Sequence, residues 1–246
     1  MVLAAIDKGF SVLGFSGHGY TEFDHRYCMT DTEGYIKEIL ALKEKYKGKI
    51  EILLGIEEEM RHKVERDRYD YIIGSSHYSY PGGEMLDVDG SKESTQKCIE
   101  AWGDPLRYAE DYYRNFCEYI LERRPDIIGH FDLLTKYDDV LGDGGVSAAA
   151  GYRDIANKYA RIAAKADCLF EINTGAISRG YRKDPYPSAD ILYTLKNEGA
   201  RIMLNSDCHE KSALTCHFAE SRAILKDIGF RELYHFRGGE VIKEYI

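Results

Sequence analysis

Residues 51–57 read EILLGIE and residues 69–77 read YDYIIGSSH, and the reading of these two runs decides the fold. Working outward, VLGFSGH at 12–18, PDIIGH at 125–130 and RIMLNSDCH at 201–209 repeat the form. Each run is rich in Ile, Leu, Val and aromatics, is bounded by Gly or Pro, and is separated from the next by longer helix-like segments. That pattern predicts buried parallel strands. Each run also ends on a group that binds hard or borderline metal ions: His18, Glu57, His77, His130, and Asp207 with His209. Parallel strands gather such groups at one end of a sheet, which is where α/β barrels place their chemistry.

The intervening segments fit alternating strands and helices. Thr30 to Tyr46 places Ile36, Ile39, Leu40 and Leu42 at helical spacing. Further helices are predicted over Pro105 to Arg123, Tyr152 to Lys165, Ser188 to Asn197 and Phe218 to Ile228, with a strand at CLFEIN (168–173) and a strand pair around Leu233 to Ile242. Tyr78 to Asp104, with PGG near its start, reads as a long loop with some helix, either a lid or a surface insertion. Val2 to Lys8 makes only a stub of helix before the first strand.

With 246 residues, 44% hydrophobic, and no composition break, the chain is expected to be one domain. A net charge of −9 offers no basic face for nucleic-acid backbones, so a small anionic substrate would have to be gripped locally. The six cysteines form no CxxC pair and read as free thiols. No apolar stretch is long enough to span a bilayer and no leader pattern opens the chain, which predicts a cytoplasmic protein without a membrane partner.

Histidine and carboxylate donors without cysteine suit Zn²⁺, Mn²⁺ or Fe²⁺ in a site with open positions. Any one of His18, His77, His130 and His209 alone would more often be structural. Four at the same topological position, with Glu57 and Asp207, point to metal. A bridging carboxylate such as Glu57 can hold two ions that activate water for attack on phosphorus. Glu58 and Glu59 read as solvated neighbours, and most of the 20 tyrosines as packing residues with wet hydroxyls.

Taken in order, GxE (Gly55–Glu57), SSH (Ser75–His77), GHFD (Gly129–Asp132), EIN (Glu171–Asn173) and SDCH (Ser206–His209) resemble the PHP family, the polymerase and histidinol phosphatase superfamily. The loop NTGAISRGYRKDPYPS (173–188) is similar to that of its histidinol-phosphatase branch. The resemblance implies a distorted (β/α)7 TIM-like barrel, an α/β fold, with a centre of up to three divalent ions. It implies that Glu57 bridges the first and second ions, that His77 and His130 complete the second, that Asp207 serves the first, and that His18 and His209 serve the third.

The family pattern opens with a His-x-His strand, and this chain starts after that point. The expectation is therefore a barrel lacking its first strand, fewer ions than the family site holds, low activity for this chain, and two open sheet edges that favour self-association.

The implied activity is hydrolysis of a small phosphomonoester, histidinol phosphate, with Asp207 or His209 protonating the leaving group. Arg179 and Arg182 are candidates to grip the phosphate, and Asn173 to touch substrate or orient ligands. A phosphoesterase acting on nucleotides or nucleic-acid ends, or a metal-poor non-catalytic relative, are the alternatives.

Overall fold

In a computed structural model describing residues 1–246, α1 (Val2–Asp7) precedes β1 (Val12–His18), α2 (Thr32–Lys45), β2 (Glu51–Glu59) and β3 (Tyr71–Ser75). A short antiparallel pair follows, β4 (Tyr78–Ser79) and β5 (Leu86–Asp87), then α3 (Lys92–Trp102), α4 (Pro105–Arg123) and β6 (Ile127–Ile128). Next come α5 (Asp138–Leu141), α6 (Tyr152–Ala164), β7 (Leu169–Asn173), α7 (Gly175–Ser178), α8 (Ala189–Asn197) and β8 (Ile202–Asn205). The chain closes with α9 (Phe218–Ile228) and a hairpin of β9 (Glu232–Arg237) and β10 (Glu240–Tyr245).

Local sequence explains the boundaries. Asp31 caps α2 by accepting from the Gly34 N–H, and Ser91 and Ser94 cap α3 reciprocally. Asp104 caps α4 with Pro105 in its first turn, where proline's missing N–H costs nothing. The segment after Tyr78 carries more order than a loop: β4, β5 and α3 form a small layer beside the C-terminal rim of the sheet.

The main sheet has six parallel strands in the order β1-β2-β3-β6-β7-β8. β1 and β8 are its edges, yet residues of both line one cavity of about 750 Å³, so the sheet curls until its edges flank a common space. The register sets His18 opposite Glu57 and Asn173 opposite Asn205, placing the strand ends along one rim.

On the outer side, α4, α6 and α8 pack over β6 and β7 in a core of 34 buried residues that includes Phe116, Phe131 and Phe170. Burying each large apolar side chain of this kind contributes about 1.5–3 kcal/mol. On the inner side, Leu53, Tyr71, Ile73, Ile127, Leu169 and Met203 form a smaller cluster, against which Tyr234 and Phe236 of β9 pack.

Two expectations are corrected. β2 runs to Glu59 and buries both Glu58 and Glu59, because charged partners are supplied from α4 and from His77 rather than from water. Many tyrosines are core residues: the Tyr113 and Tyr152 hydroxyls bond each other at 2.7 Å, and Tyr119 donates to Glu58 at 2.6 Å. The six cysteines are all free. No helix is long and apolar enough to cross a membrane.

Candidate metal centre

Glu57 sits in β2 with its carboxylate almost completely buried. Its Oε1 lies 3.0 Å from His130 Nε2 and 3.3 Å from His77 Nε2, while Oε2 lies 3.5 Å from His18 Nδ1. The strands that deliver these groups are neighbours: His18 ends β1, His77 follows β3 by two residues, and His130 follows β6 by two. Their rings stack edge to face, His18 on His77 at 5.2 Å and His77 on His130 at 5.1 Å between centroids.

His18, Glu57 and His77 form the compact group, with one ligand atom from each within 4.8 Å of the others. His130 approaches the same Glu57 oxygen. Asp207, two residues past β8, stands apart beside His209, Oδ1 to Nε2 at 3.6 Å. Its backbone is in the left-handed region at φ 42°, a strained setting for a non-glycine residue that is concentrated at functional sites. All six residues expected at the rim line one cavity, with His18 beside Glu57 and His77 and with His209 beside Asp207.

The electrostatics are those of a site built around positive charge. Burial pushes the Glu57 carboxyl upward, but the charge of His18 and the hydrogen bonds of His130 and His77 outweigh it and hold it well below the usual carboxylate range. Burial would lower His77 and His130; instead Glu57, with Glu59 beside His77, raises both above the ordinary imidazole value. Asp207 is also held low, since burial is offset by His209 3.6 Å away and by the charge of Arg179.

The donor set fits a divalent ion. Ligand atoms about 2.1 Å from a tetrahedral ion stand about 3.4 Å apart. The three separations around Glu57 lie at 3.0–3.5 Å, so small adjustments would admit one. Without a cation, the cluster holds imidazoles with raised proton affinity around a buried carboxylate, and His130 Nδ1 has no hydrogen-bond partner.

A second cavity of about 350 Å³, the size of a small substrate, opens on this rim and is lined by the six candidate metal-binding residues together with Arg179, Lys136 and Tyr186. Arg179 donates to the Asp207 carbonyl at 2.9 Å and to its carboxylate at 3.1 Å. Arg182 does not line this cavity. It donates to the Thr135 hydroxyl and carbonyl and stacks 4.3 Å over the Tyr186 ring, so it braces the cavity wall from behind.

Asn173 is fully engaged, donating to Glu171 at 2.9 Å and accepting from the Gly175 N–H at 2.8 Å. Glu171 in turn accepts the His130 backbone N–H at 2.9 Å. Asn173 thus holds the carboxylate that anchors the His130 backbone.

Sequence reasoning missed Glu59, whose Oε2 accepts from the His77 backbone N–H at 2.9 Å and lies 3.2 Å from its Nδ1. The signal was strand alternation, which puts residues 57 and 59 on one face. It also missed Lys136, buried on the cavity wall with Asp89 at 2.9 Å, which no motif marked.

The sequence model of the PHP domain family matches residues 1–175. The chain belongs to that family. A probable histidinol-phosphatase of Schizosaccharomyces pombe is 25% identical over 244 residues, covering 90% of this chain and 78% of that one. Among solved structures, the putative histidinol phosphatase hisK from Listeria monocytogenes superposes with a TM-score of 0.77 at 18% identity, covering 89% of this chain and 92% of that one. The histidinol phosphate phosphatase of Lactococcus lactis, complexed with Zn, L-histidinol and phosphate, gives 0.71 at 24% identity, covering 98% and 90%. These neighbours share the fold of this PHP-family chain.

Proposed function

We propose that this PHP-family protein is a metal-dependent phosphomonoesterase that hydrolyses histidinol phosphate. The observation that carries the reading is the meeting of His18, His77 and His130 on the Glu57 carboxylate, at the mouth of a substrate-sized cavity. The substrate is supported by the names of the relatives, which are histidinol-phosphatases.

Divalent ions, Zn, Mn or Fe and fewer than the up to three of the complete family site, would supply water activation and neutralise charge on the phosphoryl oxygens. Glu57 would be their shared ligand, with His77, His130 and His18 around it and Asp207 and His209 beyond. Arg179 stands where its planar fork can take two phosphate oxygens, and its pairing with Asp207 keeps it aimed at the rim. His209, largely exposed at the mouth and raised above the ordinary imidazole value by Asp207 at 3.6 Å, is placed to protonate the departing alkoxide. Arg182 and Asn173 act indirectly, by bracing Tyr186 and by positioning Glu171.

On this reading the 246 residues work as one unit. The net charge of −9 favours a small substrate over a nucleic-acid backbone, and the free cysteines suit the cytoplasm. The unpaired edges of β1 and β8 support self-association. The test is a panel of phosphomonoesters, nucleotides included, assayed with added Zn²⁺ or Mn²⁺. Histidinol phosphate should stand out in kcat/KM; equal turnover across the panel, or none with either ion, would overturn the proposal.

A further inference from the structure

Glu59 lies two residues beyond Glu57 in β2, so the pleat sends both carboxylates to the same face. It is 4% exposed and lines the substrate-sized cavity. The His77 imidazole is held between the two: Nε2 stands 3.3 Å from Glu57 and Nδ1 stands 3.2 Å from Glu59 Oε2. A carboxylate can only accept, so the Glu59 contact holds a proton on Nδ1, and an ion bound beside Glu57 would displace the proton from Nε2 and meet its lone pair.

His130 supplies an internal contrast. Its Nε2 also faces Glu57, but its Nδ1 is buried with no partner, and the nearest supporting carboxylate, Glu171, takes its backbone N–H instead. Of the two imidazoles on Glu57 Oε1, only His77 has its tautomer and ring rotation fixed from behind. The other Glu59 oxygen, Oε1, is buried without a partner, so this carboxylate is not merely saturating a hydrogen-bond network.

We infer that Glu59 is the positioning residue that fixes His77 as an Nε2 donor in the metal centre. The inference rests on the metal-centre reading above. A carboxylate behind a ligating imidazole holds its orientation and raises its basicity, and removing such a partner weakens metal binding by about 10–100-fold.

The test is competition between a chromogenic chelator and chelator-stripped protein for Zn²⁺, with folding followed by circular dichroism. Glu59→Leu, which abolishes both contacts, should weaken the tightest site about 10–100-fold. Glu59→Gln retains a neutral acceptor for both N–H groups and should fall between Leu and wild type. If the Leu variant does not fold, the Gln variant decides. A long-range ¹H–¹⁵N spectrum of the Zn²⁺-loaded wild type should show His77 protonated on Nδ1.

Zn²⁺ affinity equal to wild type in every folded variant, or a proton on His77 Nε2, would overturn the role of Glu59 and leave the metal centre standing. A wild-type protein that binds no Zn²⁺ would instead remove the metal-centre reading, and this inference with it.

Discussion

His130 Nε2 lies 3.0 Å from Glu57 Oε1 although 73 positions separate the two residues along the chain. The contact crosses β3, which lies between the strands that carry them, and both partners are buried. A buried carboxylate is tolerated only where positive charge compensates it, and here three imidazoles do so. Glu57→Gln preserves shape and removes the charge. It should lower divalent-metal affinity by more than the roughly 100-fold expected for a residue that only supports a ligand, and abolish phosphatase activity. Equilibrium dialysis with Zn²⁺ checks this; unchanged stoichiometry and affinity would remove Glu57 from the centre.

The same cluster dictates a pH signature. His77 and His130 have raised pKa values in the folded chain, so their stabilising contribution is full below the unfolded value of about 6.5 and is lost as pH rises through the folded values. Glu57 is lowered, so its contribution is present above an unfolded value of about 4.3 and disappears as pH falls through its folded value. Chelator-stripped protein should therefore show a Tm that declines above about pH 6.5. Zn²⁺ affinity should rise over the same range, because the ion must displace those protons. Differential scanning fluorimetry with and without Zn²⁺ reads both trends, and parallel pH profiles would contradict the argument.

Arg179 and Arg182 lie three positions apart, and the structure gives them different work. Arg179→Ala frees Asp207 and removes a cation from the cavity rim, so it should mainly raise KM, by about tenfold for one charge-assisted contact. Arg182→Ala strands acceptors at Thr135 and uncovers the Tyr186 ring. It should cost about 1–3 kcal/mol of stability, or roughly 2–10 °C in Tm for a domain of this size. Steady-state kinetics and thermal melts on both variants separate the roles; an unchanged KM in Arg179→Ala would remove that residue from the site.

Adjacent carboxylates in β2 diverge as sharply. Glu58 faces away from the centre and accepts Arg123 Nε and Nη2 at 2.8 and 2.7 Å, with Tyr119 and the Val64 N–H adding bonds. Arg123→Ala breaks a buried pair and should destabilise the fold by about 3–5 kcal/mol, while leaving Zn²⁺ affinity per folded molecule unchanged. Urea unfolding with a parallel chelator titration tests both halves, and loss of Zn²⁺ affinity in the folded variant would show that the two sides of β2 are coupled.

How much was legible beforehand follows from these residues. The strand-end candidates were readable because a parallel strand writes its burial as a continuous apolar run and gathers polar groups at its carboxyl end. His18, Glu57, His77, His130, Asp207 and His209 all lie near such an end. The partners of those groups were not readable, because a contact such as Glu59 with His77 or Glu58 with Arg123 depends on which neighbour the sheet supplies. A run of three glutamates at a strand end looks like a departure into water until the helix behind it is known. Arg179 and Arg182 illustrate the same limit: one loop and one charge type, but the turn at α7 directs only one into the cavity.

The glycine of the GxE motif is fixed by the inner core rather than by the metal. An added Cβ at Gly55 would overlap the Tyr71 ring, and one at Gly14 would overlap the Tyr71 hydroxyl. Tyr71 lies flat across β1 and β2 and stacks on Phe236 at 5.5 Å, tying the C-terminal hairpin to the sheet. Gly55→Ala must push this ring aside, and overpacking of a filled core costs about 1–3 kcal/mol or more. The double variant Gly55→Ala/Tyr71→Phe leaves the ring in place and should recover little. Gly55→Ala/Tyr71→Leu, which clears space, should recover more of the loss than Tyr71→Leu alone would predict from additivity. Urea unfolding of the four proteins and wild type measures the coupling; strictly additive free energies would show that Gly55 is required for some reason other than contact with Tyr71.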